Sequence, residues 1–252
     1  MSSPFRLVQL SDPHIGADWA EGDPTARLAA AVESVRALGQ PDAVLVSGDL
    51  ADHGIDGEYD VVRELLAPLR APVHVVAGNH DDRGVLRRHF DLPGTDGEPV
   101  QYSSDLGPLR LVVVDTTIPG QDPGALDSGR LEWLDAELAA APDAATVVAM
   151  HHPPILTGSR VWDDLGLPLG DRHALRDVIG RHRQVLRVVA GHVHRTMTGE
   201  LGGTPVLTLP STYVQARLNF DSDELELTPD PAGFGVHVVV DGGLTSHLEP
   251  IR

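Results

Sequence analysis

The sequence predicts an α/β fold, because strand-like runs alternate with helical segments along most of the chain. The runs are continuous, apolar and rich in valine, as in FRLVQL and VHVVAG. Such runs are typical of strands that are covered on both faces. Five of them end in a residue that can bind a metal. Ligand-binding residues collect at the carboxyl ends of roughly parallel strands, so we expect these endings to converge on one site.

The first part of the chain predicts a β-α-β-α-β order. Strands are expected at 5–10, 43–47 and 73–77. Helices are expected at 24–38 and 57–69, and a short helix is expected at 82–89. Asp23 followed by Pro24 marks the first helix start, since Asp caps free amides and Pro fits the first turn.

The later part predicts strands near 100–104, 109–114, 145–150 and 186–190, and helices at 128–140 and 171–181. The stretch 153–170 is rich in Pro and Gly and indicates a long loop. Beyond His194, the runs GELGGTPVLTLP and GVHVVV…LTSHLEP predict two hairpins. Antiparallel strands at this end suit a mixed sheet or a second sheet packed on the first.

The composition limits the kinds of site and reaction that the protein can have. The 252 residues fit one domain over 1–252, and the absence of cysteine excludes disulfides and thiolate ligands. All 19 basic residues are arginine, which excludes a Walker-type loop and Schiff-base catalysis, since both need lysine. A net charge of −18 argues against binding a nucleic-acid polymer. A small phosphate compound remains compatible, because a local metal centre outweighs a diffuse acidic field.

The amino terminus, MSSPFRLVQL, lacks a cationic segment followed by an apolar stretch of secretory length. No run approaches the roughly 20 apolar residues that cross a bilayer. We therefore expect a cytoplasmic protein that does not associate with membranes. A homodimer or higher homo-oligomer is compatible with its size.

Seven candidate metal ligands follow the strand-like runs: Asp12, His14, Asp49, Asn79, His151, His192 and His194. The spacing of Asp12 with His14, and of His192 with His194, puts both side chains of each pair on one side of an extended backbone. A glycine precedes three of the ligands, at positions where a turn or a close backbone approach is expected: Gly48, Gly78 and Gly191.

Seven oxygen and nitrogen ligands exceed what one metal usually takes together with a substrate, which indicates two metals. A carboxylate can bridge them through its two oxygens. Two such ions can grip a phosphate and lower the pKa of a shared water, which gives a hydroxide nucleophile near neutral pH. A loop histidine can protonate the leaving alkoxide. The ligand types suit manganese, iron, zinc or cobalt.

The motifs D-x-H, G-D, G-N-H-D, H and G-H-x-H occur in this order between residues 12 and 194. This series resembles that of the calcineurin-like metallophosphoesterases and spans most of the chain. The resemblance implies a four-layer α/β fold, in which two mixed β-sheets lie between helices. It also implies an enzyme, a metal-dependent phosphodiesterase.

By this resemblance, the ligands form two sets that share Asp49 as the bridge. One set is Asp12, His14, Asp49 and His194, and the other is Asp49, Asn79, His151 and His192. His80 would donate a proton or stabilise the phosphate, and Asp81 would hold the ring of His80. Asn79 would serve catalysis as well as ligation, so the expected catalytic residues are His80, Asp81 and Asn79.

A narrower similarity, to bacterial class III cyclic nucleotide phosphodiesterases and glycerophosphodiesterases, rests on compact length, HHPP and LPSTYVQ. It implies a small phosphodiester substrate, either a 3′,5′-cyclic nucleotide, a 2′,3′-cyclic nucleotide or a glycerophosphodiester. Some of those relatives place a histidine beside the Gln215 position, where this chain has Val214. A substrate contact would then be missing. We expect the 153–170 loop and the segment around Val214 to select the substrate.

Two rival functions stay open: a phosphomonoesterase on the same centre, and a metal-stabilised binding protein without turnover. His53 is as compatible with a substrate contact as with a surface role, and His152 is expected to support the metal site without ligating it. Asp115 is interpreted as a loop or capping residue, and His237 as an ordinary histidine. Three arginines are interpreted as exposed side chains that do not contact phosphate: Arg160, Arg195 and Arg217.

Overall fold

Strands and helices alternate through most of the chain. The computed structural model describes residues 4–252. The prediction about a secretory segment falls partly on residues 1–3, which lie outside the described residues. The strands are β1 (Phe5–Leu10), β2 (Ala43–Val46), β3 (Val73–Val75), β4 (Tyr102–Asp105), β5 (Arg110–Val113), β6 (Thr146–Ala149), β7 (Val185–Ala190), β8 (Met197–Leu201), β9 (Thr204–Thr208), β10 (Gln215–Ala216), β11 (Leu227–Thr228), β12 (Gly233–Val240) and β13 (Gly243–Pro250). The α-helices are α1 (Pro24–Ala37), α2 (Asp56–Leu66), α3 (Arg83–Phe90), α4 (Ser128–Ala139), α5 (Arg160–Asp164) and α6 (Leu169–Ile179).

Two large mixed sheets form the centre of the protein. The first has the strand order β13-β12-β1-β2-β3, and its last three strands are parallel. The second has the order β4-β5-β6-β7-β9-β8, with parallel strands from β5 to β9 and antiparallel edges. The two predicted hairpins are therefore split: β8–β9 extends the second sheet and β12–β13 extends the first.

The layers follow from side chains that alternate along each strand. Leu7 and Leu45 face the second sheet and share a buried cluster with Leu111, Val147 and Val189. The opposite face of the first sheet packs on α1, α2 and α3, while that of the second sheet packs on α4 and α6. The order is helices, sheet, sheet, helices, which confirms the four-layer α/β prediction. It also explains why the strands lack apolar–polar alternation, since both faces are covered.

Several boundaries differ from the predictions for local reasons. Asp23 caps α1 through its side chain, as predicted. The second helix ends at Leu66 and continues as a 3-10 turn over Ala67–Leu69, because Pro68 has no N–H to extend the α-helical ladder. None of the described helices is both long and apolar enough to cross a membrane.

The prediction of a single loop over 153–170 is wrong. The stretch contains the short helix α5, and α6 begins at Leu169 instead of Asp171. The carboxylate of Asp163 accepts hydrogen bonds from the amides of Thr157 and Gly158, which closes the turn before α5. Trp162 is 6% exposed and anchors this helix.

Candidate metal centre

The seven predicted ligands lie together where both sheets end. Asp12 and His14 follow β1, Asp49 follows β2, and Asn79 follows β3. From the second sheet, His151 follows β6, while His192 and His194 follow β7. The backbone joins neighbouring loops, since the amide of Asp12 donates to the carbonyl of Gly48 at 3.2 Å. Parallel strands that point the same way therefore bring residues 180 positions apart into contact.

The first predicted ligand set forms one compact group. Asp12, His14, Asp49 and His194 each offer one ligand atom, and these atoms lie within 4.8 Å of one another. All four residues are buried, the most exposed of them at 7%. Two carboxylates and two imidazoles at this separation match the donor set of a divalent transition metal.

Hydrogen bonds fix which ring nitrogen of each histidine faces the site. His194 Nδ1 donates to the carbonyl of Val214 at 2.9 Å, and His14 Nδ1 donates to the carboxylate of Asp52 at 2.9 Å. The Nε2 atoms of these two rings then face each other at 3.1 Å. Two imidazole lone pairs at this distance repel unless a proton or a cation lies between them, and the outer N–H bonds are those that typically orient metal-bound histidines.

The second predicted set repeats this pattern around Asn79. His151 Nδ1 donates to the carbonyl of Ser47, and His192 Nε2 donates to the carbonyl of Leu165. Their remaining nitrogens lie 3.0 and 3.2 Å from Asn79 Oδ1, which is itself an acceptor. Here too, possible ligand atoms converge on one point. Asp49 Oδ2 lies 3.5 Å from His14 Nε2 and 3.3 Å from His151 Nε2, so its carboxylate stands between the two sets.

The backbone is strained at most of the ligands. In the described part of the chain, eight non-glycine residues have positive φ, and five of them are predicted ligands. These are Asp12, His14, Asp49, His192 and His194, with φ of 50°, 46°, 48°, 71° and 47°. Each left-handed residue costs about 1–2 kcal/mol. Such strain persists only where surrounding structure holds it, and it clusters at functional sites.

Glycines make the close approach of these loops possible. Gly48 has φ of +102°, and a Cβ there would lie 2.1 Å from His151 Nδ1. A Cβ on Gly78 would lie 2.2 Å from the amide nitrogen of Asp49. This packing agrees with the prediction that the glycines before the candidate ligands allow a turn or a close backbone approach.

Burial and charge divide the histidines into two kinds. Burial lowers the pKa of His194 to about 4, and it lowers that of His192 well below its ordinary value, helped by neighbouring histidines. Burial also acts against a proton on His151, but the carboxylates of Asp49 and Asp12 outweigh it and raise its pKa to about 9. The pKa of His14 is likewise raised, against burial, by Asp52 and Asp49.

Asp52 was not among the predicted site residues, but it fixes the ring of His80. His80 Nδ1 donates to the carbonyl of Asp52 at 3.0 Å, and the Asp52 carboxylate accepts from both His14 and Trp19.

The prediction that Asp81 holds the ring of His80 is wrong. The Asp81 carboxylate accepts instead from the amides of residues 50, 51 and 78 and from the Tyr59 hydroxyl, because a partly buried carboxylate takes the donors that lie nearest to it. The sequence signal that could have identified Asp52 is its position three residues after the predicted ligand Asp49.

A buried hydrogen-bonded chain supports Asp12 from behind. His237 Nε2 donates to Gln9 Oε1 at 3.0 Å, and Gln9 Nε2 donates to the Ser47 hydroxyl at 2.8 Å. Ser47 contacts the hydroxyl of Ser11 at 2.8 Å, and Ser11 donates to Asp12 Oδ2. All of these side chains are buried, so His237 is packed and belongs to the support of a candidate ligand.

The other candidate residues have structural partners. The two ring nitrogens of His152 lie at 2.8 Å from the Thr116 hydroxyl and 2.9 Å from the Asp122 carbonyl. This agrees with a supporting role, since neither nitrogen is left for a metal. His53 is more than half exposed and pairs with Glu58 at 2.7 Å. Asp115 pairs with Arg83 and accepts from loop amides.

A pocket of about 300 Å³ opens onto this cluster. Its base holds five of the predicted ligands together with His80. Its rim, which we define as the remaining lining residues, consists of Trp19, Asp122, Trp162, Leu165, Ala216, Leu225 and Leu227. Val214 does not line it, although its carbonyl orients His194. The three arginines considered above lie outside the lining, and each has an acidic side chain within 4 Å.

Two mixed sheets lie between helices, and carboxylates and imidazoles gather at the strand ends as a candidate metal centre. The family model of calcineurin-like phosphoesterases matches residues 5–196, and the chain belongs to this family. The chain is 33% identical to a probable glycerophosphodiester phosphodiesterase of Arcobacter nitrofigilis, over 84% of this chain and 79% of the relative. It is 35% identical to a 3′,5′-cyclic adenosine monophosphate phosphodiesterase of Pseudomonas aeruginosa, over 83% and 76% respectively.

Among solved structures, the fold is similar to a dimetal phosphatase from Danio rerio. The TM-score is 0.73 at 18% identity, and the match covers 99% of this chain and 100% of the other. At this identity the likeness concerns the fold alone. It agrees with the two-sheet architecture that the motifs predicted.

Proposed function

We propose that this protein hydrolyses a small phosphodiester with two metal ions. One ion would be held by Asp12, His14, Asp49 and His194, and the other by Asp49, Asn79, His151 and His192. The observation that carries the proposal is the convergence of ligand atoms: His14 Nε2 lies 3.1 Å from His194 Nε2, and His192 Nδ1 lies 3.2 Å from Asn79 Oδ1. Nitrogen and oxygen atoms that face one another at these distances need a proton or a cation between them, and Asp49 stands between both sets.

When bound, the two ions would supply Lewis acidity and activate water for attack on phosphorus. The chain's own residues would bind the ions and move a proton. His80 lines the pocket and is about one-third exposed. Because its Nδ1 donates to the Asp52 carbonyl, its Nε2 is left to face substrate. The imidazolium form, which carries a proton on both nitrogens, would give its Nε2 proton to the leaving alkoxide and become the neutral ring. Asp81 would act only by shaping the loop that carries Asn79 and His80.

A diester is favoured over a monoester by charge. No arginine is among the described residues that line the pocket, and the chain has no lysine. A monoester dianion carries about one more negative charge at neutral pH than a diester, and the pocket lining offers no arginine or lysine to pair with that extra charge. The names of the two sequence relatives, both phosphodiesterases, support the same choice.

The candidate substrates are 3′,5′-cyclic nucleotides, 2′,3′-cyclic nucleotides and glycerophosphodiesters. Manganese, iron, zinc and cobalt all suit the ligands. The single domain over 1–252, the homo-oligomer and the cytoplasmic location also stay predictions.

Metal-reconstituted protein should be assayed on these three diester classes and on matched monoesters. We expect diester hydrolysis that Asp49→Ala abolishes together with binding of the ions. His80→Gln should keep the ions but lower kcat by about 100-fold or more. His53→Gln, at the exposed histidine nearby, is the matched control and should leave both unchanged.

Two results would contradict the proposal. A preference for monoesters would favour the phosphomonoesterase. Absence of hydrolysis across all esters, with both metals loaded, would favour the binding protein.

A further inference from the structure

Trp19 is a large aromatic residue that remains 44% exposed while it lines the pocket. Its indole is held in place on several sides. The ring meets Tyr213 edge to face at a centroid distance of 5.5 Å and His14 at 5.3 Å. Its Nε1 donates to Asp52 Oδ1 at 2.9 Å. The polar edge of the ring is thus satisfied, and the surface that stays exposed is carbon.

The rest of the rim has the same chemical character. Trp162, Leu165, Ala216, Leu225 and Leu227 are apolar, and Leu225 is 50% exposed. Among the described lining residues, Asp122 is the one polar side chain that is neither a candidate ligand nor His80. A glycerol group in this rim would lose hydrogen bonds to water without replacing them, at a cost in binding. A planar aromatic group would bury its faces against carbon and lose none.

We propose that Trp19 is a specificity-determining residue that stacks on an aromatic group of the substrate. The preferred phosphodiesters would then carry a planar ring, such as a nucleobase or an aryl group, and glycerophosphodiesters would be poor substrates. The inference rests on the proposed diester hydrolysis and deepens it. Stacking of one base on an aromatic side chain is worth roughly tenfold in binding, or about 1.4 kcal/mol.

Two substitutions separate the ring of Trp19 from its hydrogen bond to Asp52. Trp19→Gln keeps an N–H donor and removes the ring, while Trp19→Phe keeps a ring and removes the donor. The substrates are 3′,5′-cyclic AMP and glycerophosphoethanolamine, and each variant is compared with the unmodified protein on each substrate. This comparison cancels the intrinsic reactivity of the two esters. Leu38→Gln is the matched control, since Leu38 is 50% exposed and lines a different cavity.

For the cyclic nucleotide, we expect Trp19→Gln to lower kcat/KM about tenfold, mainly through KM, and Trp19→Phe to recover most of the loss. For glycerophosphoethanolamine, the loss should be below about twofold. Equal losses on the two substrates, or failure of Trp19→Phe to restore the cyclic nucleotide, would overturn the inference.

A binding measurement keeps the test independent of turnover. Titration with a hydrolysis-resistant phosphorothioate analogue of the cyclic nucleotide should quench tryptophan fluorescence. Trp162 also lines the pocket but is 6% exposed, so Trp19→Phe should remove most of the quenching and Trp162→Phe should remove little of it. If the unmodified protein hydrolyses neither diester, the proposed function fails. Quenching then decides the role of Trp19 on its own, and its absence would reject the stacking contact.

Discussion

The base and the rim of the pocket are built in opposite ways. At the base, six of the seven candidate ligands are buried and Asn79 is partly buried. Five of the seven have left-handed backbone, and every histidine among them donates its outer N–H to a fixed acceptor. At the rim, Trp19, Leu225 and Leu227 are each more than 40% exposed and contact the solvent with carbon. From here on, the base includes all seven candidate ligands, which follow strands of both large sheets. Much of the rim, in contrast, lies on loops and short elements.

The difference separates chemistry from substrate choice. A centre that must hold ions within a fraction of an ångström needs buried, strained and fully hydrogen-bonded loops, so it tolerates little change. A rim that only removes apolar surface from water tolerates substitution, because the hydrophobic effect is not directional. We therefore expect mutations at the base to abolish turnover, and mutations at the rim to alter KM for particular substrates.

The largest effect should come from adding one methyl group at the base. In Gly48→Ala, the new Cβ would lie 2.1 Å from His151 Nδ1, so the imidazole must move. We expect kcat/KM to fall at least about 100-fold, since small displacements of catalytic groups cost this much. The free energy of unfolding, measured in urea, should fall by about 2 kcal/mol or more.

Gly107→Ala is the matched control for Gly48→Ala. Gly107 has φ of +87°, but a Cβ there meets nothing within 4 Å. It should cost only the backbone strain of about 1–2 kcal/mol and leave kcat unchanged. Normal turnover in Gly48→Ala would show that the base is less rigid than we describe.

An intermediate effect should appear in the pH dependence of metal affinity. The pKa of His151 is raised to about 9, so its ring holds a proton at neutral pH before an ion binds. The pKa of His14 is also raised. Because a metal needs the free lone pair, its binding releases the proton of any ring that holds one. The apparent Kd for Mn²⁺ should therefore fall as pH rises from 7 to 9, by up to about tenfold per unit for each proton released.

Calorimetry in buffers of different ionisation enthalpy measures both Kd and the protons released. His192 and His194, whose pKa values are lowered by burial, should add no dependence in this range. A flat Kd between pH 7 and 9 would contradict the charge state inferred for the base. Variants of rim residues should show the same pH dependence of the Kd for Mn²⁺ as the unmodified protein.

The smallest effect should come from trimming the rim. Leu225→Ala removes apolar surface from the pocket without touching a ligand, so KM for an aromatic diester should rise about two- to fivefold. Metal affinity and kcat should stay constant. Leu248→Ala is the control, since Leu248 is 46% exposed on β13 and lines none of the pocket. A loss of metal affinity in Leu225→Ala would remove the distinction between rim and base.

Much of the base was predictable because its residues sit at repeated positions along the chain. Each ligand follows an apolar run, and a run buried on both faces must end in a loop at the edge of a sheet. Asp81 was misjudged for a related reason. It is adjacent to His80 in sequence, but its side chain points to amides of the β2 and β3 loops, and Asp52 from another loop takes the place expected for it.

The rim was predictable only in part. The 153–170 stretch supplies Trp162 and Leu165, and the segment around Val214 supplies Ala216, whereas Trp19, Asp122, Leu225 and Leu227 were not predicted. Trp19 looks like one more residue in a polar loop, and its role depends on Tyr213, which is almost two hundred positions away. The hairpin of β10 and β11 pairs only two residues on each strand, too few to give a strand pattern. The predicted loop over 153–170 hid helix α5, since a five-residue helix anchored by one buried tryptophan leaves little periodicity.

The sequence by itself determined the fold class, the family and the list of candidate ligands, because strand burial and motif spacing are local properties that order along the chain preserves. The tertiary structure decided which nitrogen of each histidine faces the site, which carboxylate holds His80, and what surface surrounds the pocket. Those properties arise from contacts between residues far apart in the chain. They exist only once the two sheets have packed and brought the strand ends together.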